Sequence, residues 1–146
     1  MKGTISTADL EELGACQDQI DRFREIFKDA DTGVAVDVEN VLAADAGGLK
    51  LAWLARHVFT TQCHGEYVAA FDRILVECHH AVRRAYDEFA RELAGLDGEG
   101  GGGQAAALGK RRMAVARAGH DCDWSLASAW VDAYHGSMDK QRKGGD

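Results

Sequence analysis

Residues 61–95 read TQCHGEYVAAFDRILVECHHAVRRAYDEFARELAG, and the organisation of the whole chain follows from them. Cys63, Tyr67, Phe71, Ile74, Cys78, Val82, Ala85, Phe89 and Leu93 recur at steps of three and four, which places them on one face of a helix. The spacing predicts a single element of roughly 33 residues, about 50 Å long at 1.5 Å per residue. Within it Cys63-His64 with Ala70-Phe71-Asp72 is echoed by Cys78-His79 with Ala85-Tyr86-Asp87, a shift of 15 residues. Such a shift is close to four helical turns, so equivalent side chains return to one face, as a long helix seated against a continuous row of partners requires.

Toward the N-terminus, Ser6 and Asp9 form a capping-box pair. Leu13, Cys16, Ile20, Phe23 and Phe27 then mark a helical face interrupted by Gly14. This predicts helices over 7–13 and 15–28, a loop over 29–33, and one short strand at Val34–Val36. Asp37 caps a helix running through Asp45 that Gly47 and Gly48 end, and 49–59 forms another with Leu51, Leu54, Ala55 and Val58 inward. Beyond Leu96 the composition turns to glycine, which predicts a flexible linker over 97–103. Helices over 104–118 and 123–138 are expected to fold back as a hairpin, with a disordered tail over 139–146. The chain contains no proline and few runs of β-branched residues. The fold class is therefore all-α: a helical bundle organised around one long central helix, with a C-terminal helical hairpin, in a single domain of 1–146.

Its 146 residues suffice for one core without staples. The apolar stretches are short and broken by charge, and the first ten residues lack a basic start and an apolar run, so neither a signal peptide nor a membrane span is expected. A cytoplasmic protein with four reduced thiols, Cys16, Cys63, Cys78 and Cys122, follows as the expectation. The net charge of −7 is uneven: residues 1–103 hold 10 Lys+Arg against 19 Asp+Glu, and 104–146 hold 7 against 5. An acidic surface repels nucleic acid and lipid headgroups and suits a basic partner.

Several chemical motifs arise and are weighed by geometry. Cys63-His64, Cys78-His79-His80 and His120-Asp121-Cys122 raise the question of zinc. On one straight helix, however, Cys63 and Cys78 lie about 22 Å apart, and no Cys or His pair has the four-residue spacing of zinc helices. A metal site combining Cys78 with a 120–122 loop is the surviving variant, and packing of Cys63 and Cys78 as small core residues is the simpler account. His120 beside Cys122 lacks an oxyanion hole and a third partner for nucleophilic catalysis. Gly98, Gly100 and Gly103 match dinucleotide-loop spacing but follow a helix instead of a strand. Gly109-Lys110 lacks the first glycine and the hydroxyl of a phosphate-binding loop. Lys110, Arg111, Arg112 and Arg117 ahead of a second helix suggest a helix-turn-helix. That helix has no base-reading Arg, Lys, Asn or Gln between Trp124 and Met138, so direct nucleic-acid binding is disfavoured. No catalytic, cofactor-binding or metal-binding residues are assigned.

The stretch Leu13-Gly14-Ala15-Cys16, with Gln19, Phe23 and Phe27, resembles the opening of small uncharacterised accessory proteins encoded by bacteriophages and prophages. A Trp-containing helix from Trp53 to His57 and the Ala85-Tyr86-Asp87 unit extend the resemblance over roughly residues 10–95. The resemblance implies an accessory protein that acts by binding, in the manner of anti-CRISPR inhibitors of a bacterial defence complex. Its partner is expected to be a host protein complex with a basic surface, engaged by Asp18, Asp21, Glu25, Asp29, Glu66 and Glu77 as stand-ins for phosphates. Tyr86, on the polar side of the long helix, completes this set. Two other readings stand beside it: a DNA-binding regulator using the basic C-terminal hairpin, and a Cys/His metal-binding protein.

Overall fold

The computed structural model describes residues 3–96 and 101–144. The described elements are β1 (Thr4–Ile5), α1 (Thr7–Glu12), α2 (Gln17–Ile26), β2 (Val34–Ala35), α3 (Val38–Ala46), α4 (Leu51–Val58), α5 (Thr61–Ala94) and α6 (Gly101–Lys143). The protein is mainly α-helical, with one long helix where residues 61–95 predict it. The chain divides into two compact units, Met1–Ala70 with Leu126–Asp146, and Phe71–Ser125. The long helices α5 and α6 contribute residues to both.

The first unit gathers the short elements around a buried apolar cluster that includes Leu10, Ile20, Phe23, Val41, Val58 and Trp130. Local sequence explains the ends of these elements. Ser6 and Asp9 form the reciprocal capping box, with the Asp9 carboxylate accepting from the Ser6 N–H at 2.8 Å. At the end of α1, Gly14 takes φ +83°, and the Ala15 N–H reaches back to the Leu10 carbonyl at 2.9 Å. This six-to-one closure needs a left-handed residue, which glycine supplies without a Cβ penalty. Gly48, also at φ +83°, ends α3 in the same way, with the Leu49 N–H bonded to the Ala44 carbonyl at 3.0 Å. Asp37 caps α3 by accepting from the Asn40 N–H at 2.8 Å. The short strand near Val34 does find a partner: Val34–Ala35 pairs antiparallel with Thr4–Ile5, with Ile5 opposite Val34.

The deepest side chains of this unit come from α6. Trp130, Tyr134 and Ser137 are fully buried. The Trp130 indole N–H donates to the Leu51 carbonyl at 3.2 Å, and its ring lies 5.1 Å from that of Phe59. Ser137 Oγ accepts from the Thr60 N–H at 3.0 Å, while Thr60 Oγ1 accepts from the Cys63 N–H at 3.2 Å, so α5 starts on two hydroxyl contacts. Among the described residues, no buried side-chain nitrogen or oxygen lacks a hydrogen-bond partner.

The second unit is built from the α5 residues 71–94 and the α6 residues 101–125, which run antiparallel. Lys110 Nζ meets Glu92 Oε1 at 3.6 Å, the Arg111 guanidinium lies 4.4 Å from the Phe89 ring centre, and Cys122 is bonded to Cys78. Ala85 and Ala107 are buried between the two helices.

Three expectations are corrected here. The helices over 104–118 and 123–138 are one helix, because Gly119 remains helical. A lone interior glycine costs only about 1 kcal/mol, less than packing along the helix returns. Of the linker, Gly101–Gly103 form the first turn of α6, and 97–100 lie outside the described residues. Of the tail, residues 139–143 continue α6, and 145–146 lie outside the described residues. No helix among the described residues is long and apolar enough to cross a membrane.

Candidate functional site

Ile20 and Phe23 of α2 are buried, and the Phe23 ring lies 5.1 Å from that of Phe27, so this helix has a fixed inner face. The outer face then falls to Asp18, Asp21, Arg22 and Glu25, all exposed. Asp18, Asp21 and Glu25 stand about 4.5 and 6 Å apart along the axis, at 1.5 Å per residue. Asp18 is paired with Arg22 at 3.4 Å, and Asp21 accepts from Gln17 Nε2 at 2.8 Å. Asp21, Glu25 and the following Asp29 have no ion-pair partner among the described residues. Beside them Asp31 is the exception. The Thr7 hydroxyl, donating at 2.6 Å, and the Arg24 guanidinium at 3.1 Å hold its carboxyl below the usual carboxylate range.

The unit containing α2 carries 15 Asp+Glu against 9 Lys+Arg, whereas Phe71–Ser125 carries 9 against 8. Of the acidic excess in the first 103 residues, the larger part falls in 1–70, with 12 Asp+Glu against 6 Lys+Arg, and the smaller in 71–103, with 7 against 4. Of the residues assigned from sequence, Asp18, Asp21, Glu25, Asp29 and Glu66 lie in the acidic unit. Glu77 and Tyr86 lie in the other. Glu66 is exposed and accepts from Gln62 Nε2 at 2.8 Å, and Glu77 is exposed. Tyr86 is 49% exposed, and its ring is faced by the Arg111 guanidinium at 5.1 Å, a cation–π contact that sequence spacing did not disclose.

The same unit as α2 contains a small apolar cavity of about 60 Å³, lined by Phe23, Phe27, Val41, Trp53, Leu54 and Trp130 among others. Its polar lining is already engaged: Gln19 Oε1 accepts from the Lys50 N–H at 2.9 Å, and Asn40 Nδ2 donates to the Ala35 carbonyl at 2.9 Å. No acid–base pair faces this space, so what it offers is contact area and not proton transfer.

The cysteines depart from expectation. Cys78 and Cys122 form a disulfide, their Cα atoms 5.7 Å apart, instead of remaining reduced. The reason is cross-helix register: the antiparallel run of α5 and α6 sets Cys122 opposite Cys78, a relation invisible along either helix alone. Residues 120–122 are helical and not a loop, and both thiols of the suggested metal site are consumed in the bridge. Among the described residues, no group of three or more His, Cys, Asp or Glu side chains is placed to hold a metal ion. Cys63 is buried at 4% exposure. Hydrogen bonding with the Thr60 hydroxyl draws its thiol below the usual value against the opposing effect of burial. Cys16 is exposed and free.

The basic cluster is likewise spent in part. Lys110 pairs with Glu92, and Arg111 lies over Tyr86 and Phe89. The turn that a helix-turn-helix needs is absent from the continuous α6. Comparison of the chain with protein-family models, with curated proteins and with solved structures gives no match.

Proposed function

We propose that the protein acts by binding and not by catalysis, as an accessory protein of a phage or other mobile element. In this reading it inhibits a bacterial defence complex of the CRISPR-Cas type by occupying a basic nucleic-acid groove. The observation that carries the reading is the outer face of α2 and the turn after it, where Asp21, Glu25 and Asp29 are exposed and have no ion-pair partner among the described residues, on a unit with a clear excess of acid. Carboxylates fixed on a packed helix present negative charge without first having to be ordered, and unpaired charges steer encounter with a basic partner. Asp18 contributes less, because Arg22 neutralises it, and Glu66 extends the acidic surface.

The test is functional. The chain is expressed in a bacterium whose CRISPR-Cas system destroys an incoming targeted plasmid, and transformation efficiency is measured. Transformation should recover with the native chain, and the combined variant Asp21→Lys, Glu25→Lys, Asp29→Lys should abolish the recovery while leaving the helical spectrum unchanged. Unchanged plasmid loss in the presence of the native chain, across several such systems, would remove the defence assignment. Recovery that survives the triple reversal would remove the α2 face.

A further inference from the structure

On α6, Ala107 is buried, Arg111 lies against Tyr86 and Phe89, and Cys122 is bonded to Cys78, so the face through 107, 111 and 122 is turned to α5. At 100° per residue, Met113, Ala116, Arg117, His120 and Trp124 fall on the opposite face. Met113 is 69% exposed and Trp124 44%, although both are large and apolar, and the Trp124 ring is stacked parallel to that of His120 at 6.4 Å. Large apolar side chains left in water on an otherwise polar helix mark a contact surface.

The charges on this segment indicate what covers it. From 110 to 117 it carries Lys110, Arg111, Arg112 and Arg117 and no acid; from 118 to 124 it carries Asp121 and Asp123 and no Lys or Arg. The sign reverses about the junction of Ala118 and Gly119. A helix face with that antisymmetry is complementary to itself when a copy is laid against it in the opposite direction. With a two-fold axis at the junction, Met113 meets Trp124 of the second copy, and Arg117 meets His120 with Asp121 one residue on. On the other flank Arg112 and Asp123 of the second copy are offset by two residues, about 3 Å along the axis, within reach of an arginine. Arg112, Arg117 and Asp123 have no ion-pair partner among the described residues, and Asp121 faces His120 Nδ1 at 3.8 Å with both side chains exposed, so these charges can be reached by a second copy. Ala116 on this face is small, and at Gly119, to one side of it, an added Cβ would meet nothing within 4 Å.

We infer that the outer face of α6 from Lys110 to Trp124 is a self-association surface whose occupant is the same segment of a second copy, antiparallel, with Met113 on Trp124 and Arg117 on Asp121. The contact spans about 21 Å of helix, less than a standard interface, so the dimer is weak, with a dissociation constant on the order of tens of micromolar. It involves none of the α2 carboxylates and stands or falls independently of the function proposed above.

Sedimentation equilibrium of the full, disulfide-bonded chain at low salt, from about 5 to about 500 µM, decides the matter by bracketing the expected constant. The weight-average mass should rise from 15.8 kDa toward twice that value. Arg117→Asp should weaken association at least about tenfold, since the like-charge contact it creates occurs twice across the two-fold axis. Asp121→Arg should do the same, and the combined Arg117→Asp, Asp121→Arg chain should recover association because the antisymmetry is restored with reversed sign. A register check uses Met113→Cys and Trp124→Cys chains, each also carrying Cys16→Ser. Mixed and oxidised, they should cross-link to each other faster than either does to itself. A single 15.8 kDa species over the whole range overturns the inference. Association indifferent to Arg117→Asp, or a double reversal that stays monomeric while keeping its helical spectrum, overturns it too.

Discussion

The two units hold their helices by different means. The unit of Met1–Ala70 with Leu126–Asp146 surrounds its α6 segment with short helices, so that Trp130, Tyr134 and Met138 are buried and hydrogen bonds from Trp130 and to Ser137 lock the elements together. Within Phe71–Ser125, two helices face each other, the buried contacts are mostly small residues such as Ala85 and Ala107, and a covalent bridge joins Cys78 to Cys122. A helix pair has one seam to bury, whereas a helix enclosed by several others buries most of its circumference. The difference shows on the surface: Leu75, Val76, Met113 and Trp124 are exposed in the two-helix unit, and the enclosed unit displays carboxylates. Apolar area hidden in one unit is, in the other, left exposed.

Two substitutions should pull the units apart energetically. Trp130→Ala removes the largest fully buried side chain and the indole hydrogen bond to the Leu51 carbonyl. The expected loss is about 3 to 5 kcal/mol, from transfer and cavity contributions together. Amide exchange should accelerate first in α1 to α4, with the disulfide-bonded segment of α5 and α6 least affected. Equal acceleration everywhere would mean that the two units unfold as one. The converse variant, Cys78→Ser with Cys122→Ser, opens a loop closed over 44 residues. Chain entropy assigns such a bridge about 3 to 4 kcal/mol. The same loss should follow on treating the native chain with a dithiol reductant, with faster exchange confined to 71–94 and 101–125. If reduction leaves exchange there unchanged, the alanine-rich seam suffices without the bridge.

How far the sequence reveals this contrast depends on the range of the interactions involved. The capping box at Ser6, the glycine stops at Gly14 and Gly48, the Asp37 cap and the length of α5 are local, set by residues a few positions apart, and each was readable. The single helix α6 was misread because Gly119 and the acidic pair after it imitate a helix end, while the packing that carries the helix through them comes from residues far away in sequence. The bridge was missed for the same reason: the distance between Cys63 and Cys78 follows from one helix, but that between Cys78 and Cys122 follows from the register of two. The acidic face of α2 was legible as charge at helical spacing. The engagement of Lys110, Arg111 and Tyr86 with one another's helices was not, since no pattern in either helix encodes it.

The finest difference between the units concerns acid. Asp31, in the enclosed unit, receives the Thr7 hydroxyl and the Arg24 guanidinium, and its folded pKa is lowered below the usual carboxylate range. For a carboxylate lowered in this way the sign is fixed. The contribution to stability is fully present above the unfolded-state pKa, and it is lost as the pH falls through the folded value beneath it. Thr7→Val keeps the side-chain volume and the Thr7 N–H bond to the Ala30 carbonyl at 2.8 Å but removes the donor. The melting temperature of this variant should therefore fall less steeply than that of the native chain as pH is lowered below about 4, the unfolded carboxylate range. The gap between the two is therefore widest at neutral pH and closes in acid, and it is modest throughout because the group is at the surface and solvent screens it. Parallel acid limbs in the two thermal titrations would show that Thr7 does not hold Asp31 in its ionised form, and the acid response would then belong to the other carboxylates of the unit.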